Sequence, residues 1–117
     1  MEKIKSICVM RELVLAMSEL ESQLQQLYEV SLNEAMLLCC IGEETLTASV
    51  ISEQTGLAPS NTSKVLRSIE KKGLVSRSLG AVDKRQMCFK LSSKGMERLM
   101  RIKKEEITIP RFLAPLF

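Results

Sequence analysis

At 117 residues the chain has the usual size of one domain, which argues against a second independent core. A hydrophobic share of 45% with 26% charged residues excludes a disordered or low-complexity chain, and aromatics at 3% favour a helical core of Leu, Ile, Val and Met over an all-β sandwich. The net charge is only +3, but residues 1–57 hold three Lys/Arg against nine Asp/Glu while residues 58–101 hold eleven against three. Such sorting is expected when one segment meets a polyanion; a solvated charged face is the competing explanation.

From Lys3 to about Tyr28 there is neither Gly nor Pro, and apolar residues recur at Met10, Leu13, Met17, Leu20, Leu24 and Leu27. Steps alternating between three and four describe a helix that packs along its length, either against a second subunit, the preferred reading, or within its own domain. Ser31 with Glu34 forms a capping-box pattern that opens a second helix at Leu32, and Gly42 closes it. Thr47 is an N-cap for a short helix Ala48 to Thr55 ended by Gly56, and Pro59 suits the first position of a helix running to Lys72 and closed by Gly73.

Two short helices across a tight Gly turn, the second polar at its start and basic along one side, make a helix-turn-helix. Val65, Leu66 and Ile69 form its inward face, leaving Ser60, Asn61, Ser63, Lys64 and Arg67 outward. After Gly73 the period changes. Residues 74–79 and 86–91 read as strands joined by a turn over residues 80–85, with Lys84 and Arg85 near the tip. Ser92 or Ser93 caps a last helix with apolar Met96, Leu99, Met100 and Ile102, which should stop before Pro110. The closing stretch ITIPRFLAPLF, residues 107–117, is too apolar for a free tail; burial against a partner subunit is preferred to docking on its own domain.

The expected fold is therefore mainly α with a small β-hairpin wing (α+β), a winged helix-turn-helix: one domain over 1–117, with a dimerisation helix in 1–30, the helix-turn-helix and wing in 46–91, and a helix and tail in 92–117 that contribute to dimerisation. Residues 46–95 resemble the core of MarR-type regulators. Three parts carry the likeness: the helix-turn-helix ending in LRSIEKKGLV, residues 66–75; Asp83-Lys84-Arg85, similar to the Asp-x-Arg wing signature of that family; and LSSKG, residues 91–95, at its strand-to-helix junction. The resemblance implies a homodimer on double-stranded DNA, an acid at the wing that orients its basic tip, an arginine that enters the minor groove, and a small-molecule effector. Ala58 departs from the family's usual Ser or Thr cap, and the chain is short after its last helix.

The residue types fit that chemistry. Ser60, Asn61, Thr62, Ser63 and Lys64 occupy the turns that enter the major groove, where Asn can read adenine and small hydroxyls permit close approach; for Ser60 and Thr62, capping or packing is the alternative. Lys64, Arg67 and Arg77 can pair with phosphates, and Arg85 suits a narrow, electronegative minor groove, unless Asp83 and Arg85 are only an exposed turn pair. Cys8, Cys39, Cys40 and Cys88 lack CxxC spacing and the chain has no His, so neither a metal site nor a cofactor is expected. No His, Gly-rich phosphate loop or paired nucleophile is present, which weighs against catalysis. With no signal-peptide pattern and no apolar run near the roughly 20 residues of a membrane span, the expected setting is soluble and cytoplasmic, with reduced thiols. Two alternatives share the fold: a thiol-based redox regulator acting through Cys8 or another thiol, and a winged helix used for protein interaction.

Overall fold

The computed structural model describes residues 5–80 and 85–104. In chain order these form α1 (Lys5–Tyr28), α2 (Leu32–Ile41), β1 (Leu46–Thr47), α3 (Ala48–Thr55), α4 (Pro59–Lys71), β2 (Val75–Leu79), β3 (Met87–Leu91) and α5 (Ser93–Lys104). The strands make one antiparallel sheet in the order β1-β3-β2, with Leu46 opposite Phe89 and Val75 opposite Leu91. The architecture is the winged helix anticipated from the periodicities, with one addition: β1 closes the second edge of β3. Lys3, the closing residues 107–117 and the stop before Pro110 lie outside the described residues.

Local signals set the helix boundaries. The Ser31 hydroxyl accepts from the Glu34 N–H at 3.1 Å and the Glu34 carboxylate accepts from the Ser31 N–H at 2.7 Å, so the capping box satisfies two orphan donors reciprocally. Thr47 caps α3 through the Val50 N–H, and Gly56 ends it with a φ of 78°, a left-handed conformation that costs other residues about 1–2 kcal/mol. At α5 it is Ser92 that caps: its hydroxyl accepts from the Gly95 N–H at 3.0 Å and donates to the Gly73 carbonyl at 2.6 Å.

Leu24, Tyr28, Val30, Leu37, Leu38, Ile41, Ile51, Leu66, Ile69, Leu74, Val75, Phe89, Leu91 and Leu99 form one core. Helix α2 lies in its middle, packed on α1, α3, α4, α5 and β3, which explains its nearly unbroken apolar sequence. The seam of α1 divides. Leu20 and Leu24 face the core as expected, but the next inward residue is Tyr28 rather than Leu27, and Met10 and Met17 are exposed. The reason lies at the helix end, where Glu29 takes a φ of 56° and the chain turns into α2, drawing Tyr28 inward four residues after Leu24. The last turn of α1 carries no basic residue of its own. Its orphan carbonyls are met from elsewhere: Arg101 donates to Leu27 O, Arg98 to Tyr28 O and Lys72 to Glu29 O, placing three cations at the negative end of the helix dipole. Arg101 also lies 5.5 Å from the Tyr28 ring centroid.

One buried carboxylate ties α2 to α4. Glu34 is 4% exposed and accepts from Ser68 Oγ at 2.7 Å and Lys72 Nζ at 2.7 Å in addition to its capping bond. Burial alone would raise its pKa, but the hydrogen bonds from Lys72, Ser68 and Ser31, with the Lys72 charge, outweigh that and hold the carboxyl below its ordinary value. No helix among the described residues is long and apolar enough to cross a membrane.

Candidate nucleic-acid interface

Helix α4 starts at Pro59 with Ala58 before it, and no side chain caps its first N–H groups. Those donors are therefore left for water or a ligand. It is strongly amphipathic: Leu66 and Ile69 are buried and Val65 half-buried, as expected, against α2 and α3. Ser60, Asn61, Ser63, Lys64 and Arg67 are all exposed on the outer side, and Arg67 Nε donates back to the Ser63 carbonyl at 3.4 Å. A shallow groove of about 270 Å³ lies between α3 and α4, lined by Ala48, Ser49, Ser52, Glu53, Pro59 and Ser63.

Thr62 departs from the expectation that it would reach a ligand. It is 1% exposed, and its hydroxyl donates to the Ala58 carbonyl at 3.1 Å, with the Leu57 carbonyl at 3.5 Å. Thr62 holds the turn between α3 and α4 from inside, a task shared with Ser52, whose hydroxyl donates to Leu57 O at 2.6 Å. The sequence put Thr62 among polar neighbours and so hid its phase, four residues before the buried Leu66.

At the wing, β2 and β3 pair in register from Val75–Leu91 to Leu79–Met87, and the Gly80 N–H donates to Gln86 O at 2.8 Å where the strands end. Arg85 is exposed at that end, on the return toward β3; Asp83 and Lys84 lie outside the described residues. Arg77, expected to pair with phosphate, is engaged within the chain. Its Nε and Nη2 donate to Glu70 at 2.6 and 2.8 Å, and its guanidinium lies 5.6 Å from the Phe89 ring centroid. The Glu70 hydrogen bonds and charge push the Arg77 pKa further above its ordinary value. Sequence reading missed Glu70 in this role, although its place as the sole carboxylate between Glu53 and Asp83 was a visible signal. It also passed over Lys90, an exposed cation of β3 opposite Ser76.

The arrangement combines a helix with a polar, basic outer side, a hairpin beside it, and a sheet that binds the two together. Among solved structures, the chain is similar to the MepR–DNA complex of S. aureus, at 19% identity and a TM-score of 0.78 over 88% of this chain and 77% of that one. It is similar also to the transcriptional regulator BldR of Sulfolobus solfataricus, at 18% identity and 0.70 over 99% and 95%. A third similar structure is the multiple antibiotic resistance repressor MarR, at 19% and 0.70 over 88% and 75%. No curated protein sequence matches the chain. At these identities the structures establish the winged-helix fold, and the family follows from the sequence itself. Residues 30–87, which run from just before α2 to the first residue of β3, match the MarR family model, and through them the chain belongs to the MarR family of transcriptional regulators.

Proposed function

We propose that the chain is a sequence-specific DNA-binding regulator that acts as a homodimer on a pseudo-palindromic operator, with α4 in the major groove and the wing in the flanking minor groove. The observation that carries this reading is the outer side of α4. Ser60, Asn61, Ser63, Lys64 and Arg67 are all presented to solvent on a helix whose opposite side is locked into the core. In this reading Asn61 reads a base edge, Ser60, Ser63, Lys64 and Arg67 fix the register on phosphates, and Asp83, Lys84 and Arg85 form the wing tip. MepR, a protein of similar fold solved in complex with DNA, supports DNA as the partner. An acidic or neutral α4, as a protein-interaction winged helix would tolerate, is not what the chain presents.

Dimerisation is assigned to α1. Ile7, Met10, Val14 and Met17 are 48–61% exposed and follow one another at steps of three and four, a continuous apolar stripe on a 24-residue helix. A second copy covers it in this reading, aided by the apolar residues 107–117. A small-molecule effector belongs to the same proposal.

The test is binding to random-sequence duplex across a salt series, followed by selection of preferred sites. An inverted repeat with half-sites about one helical turn apart is expected. Arg85→Ala should weaken binding roughly tenfold, and Asn61→Ala should relax preference at one base position by about 1–3 kcal/mol. Binding no stronger than that of an unrelated weakly basic protein would sink the reading in favour of protein interaction.

The thiol-based alternative gains nothing from Cys40. Burial first, then Cys39 and Glu44, raise its pKa, and its Sγ lies 3.2 Å from Gln54 Oε1 as a donor. Cys39 is exposed on the same helix. Limited alkylation of the native protein with iodoacetamide, read by peptide mass, should therefore modify Cys39 well before Cys40; equal rates would contradict this account of the two thiols.

A further inference from the structure

Ser60, Ser63, Arg67 and Glu70 follow one another on α4 at steps of three, four and three, so they share one side of the helix. Glu70 is thus a carboxylate at the C-terminal end of the row that the proposed function turns toward DNA. No other acid occurs from Gln54 to Val82. Taken alone it would repel a polyanion. It is not alone, because Arg77 of β2 grips both of its oxygens, at 2.6 and 2.8 Å, while its guanidinium rests over Phe89. Both partners are partly exposed, at 32% for Glu70 and 43% for Arg77, so the pair sits at the surface and adds little to stability.

We infer that Glu70 limits the affinity of the DNA-binding surface: it withholds Arg77 from phosphate and so keeps sequence-independent binding weak. Bidentate pairing uses two donors of the guanidinium fork that a phosphate would otherwise take in the same planar geometry, so the carboxylate and the DNA backbone compete for one group. A cation withheld from phosphate lowers affinity for every sequence alike and leaves base readout through Asn61 untouched. Specific and non-specific affinity then fall by the same factor, so Glu70 sets how tightly DNA of any sequence is held and not which sequence is preferred.

The inference rests on the DNA-binding reading, and a charge-conserving cycle separates the two. Wild type, Glu70→Gln, Arg77→Gln and the double variant are compared on a duplex lacking the selected site, from 50 to about 300 mM salt, with circular dichroism as a check on folding. Glu70→Gln should steepen the slope of log K against log salt by about one and tighten non-specific binding roughly tenfold at 0.1 M salt, since one freed cation displaces about one counterion. The double variant has the same net charge as wild type and should return to the wild-type slope. An unchanged slope in Glu70→Gln, with wild type binding normally, overturns the inference and leaves the DNA reading intact. A double variant as tight and as steep as Glu70→Gln also overturns it, because the gain would then come from removing carboxylate repulsion rather than from Arg77. Failure of wild type to bind any duplex overturns both.

Discussion

Gly95→Ala is expected to lower the unfolding free energy by more than about 3 kcal/mol, which for a domain of this size is a fall in Tm of about 12 °C or more. Ordinarily a glycine in a helix gains about 1 kcal/mol on replacement by alanine. Here the sign reverses for a steric reason. A Cβ on Gly95 would overlap the carbonyl oxygen of Leu74 and stand 2.9 Å from its carbonyl carbon and 3.3 Å from its Cα, all backbone atoms with no torsion by which to step aside. Leu74 is fully buried between α4 and β2. Its carbonyl also accepts from the Ser92 N–H at 3.0 Å, and Lys94 Nζ donates to the Lys72 carbonyl at 2.9 Å. Making room for a methyl group therefore lifts the first turn of α5 from the α4–β2 corner and breaks these bonds together. Gly56→Ala is the control: nothing lies within 4 Å of its added Cβ, so only the left-handed φ counts, at about 1–2 kcal/mol. Thermal melts of the two variants should differ by at least several degrees; similar melts would refute the close-approach argument.

The second large effect is expected at Glu34. Glu34→Ala removes the return half of the capping box, leaves Ser68 without its acceptor and leaves Lys72 only the Glu29 carbonyl, at a cost of about 2–4 kcal/mol. The upper part of that range applies only if Lys72 stays in place; it is about a third exposed and can turn partly to water. Because the Glu34 pKa is lower in the folded state than its ordinary 4.5, the unfolded chain binds this proton more readily. The stability that the carboxylate supplies is thus complete above about pH 4.5 and drains away as pH falls through the lower, folded value. Glu34→Gln keeps a capping side chain but cannot titrate. Urea melts from pH 7 to pH 3 should show wild type losing its advantage over Glu34→Gln as the medium acidifies, and a constant gap would contradict this assignment.

These two sites differ in how far the sequence reveals them. Ser31 and Glu34 are three residues apart, and local chemistry announces their contact; the same holds for Thr47, Gly56 and Pro59 at the ends of α3 and α4. That Glu34 also receives Ser68 and Lys72 depends on how α2 and α4 cross, which no spacing within one helix encodes. Gly95 is visible as a glycine, but its neighbour Leu74 is 21 positions away. At the candidate interface, the outward position of Ser60, Asn61, Ser63, Lys64 and Arg67 is legible because the period of α4 is regular. The inward position of Thr62 is not, since a hydroxyl serves equally at a surface or inside a turn. Arg77 was read from its charge alone, whereas its partner is fixed by the path from α4 into β2. Strand β1 has only two residues, too few for any alternation to register.

That short strand has a mechanical consequence. Thr47 is at once the residue opposite Cys88 in the sheet and the N-cap of α3. Strand β3 is held on one edge by β2 and on the other by β1, whose last residue is that cap. Sheet and helix thus meet in a single residue, and a displacement of β3 reaches the first turn of α3 through it. Moving β3 out of line would pull on the Thr47 cap at the same time, which couples the sheet to the helix-turn-helix.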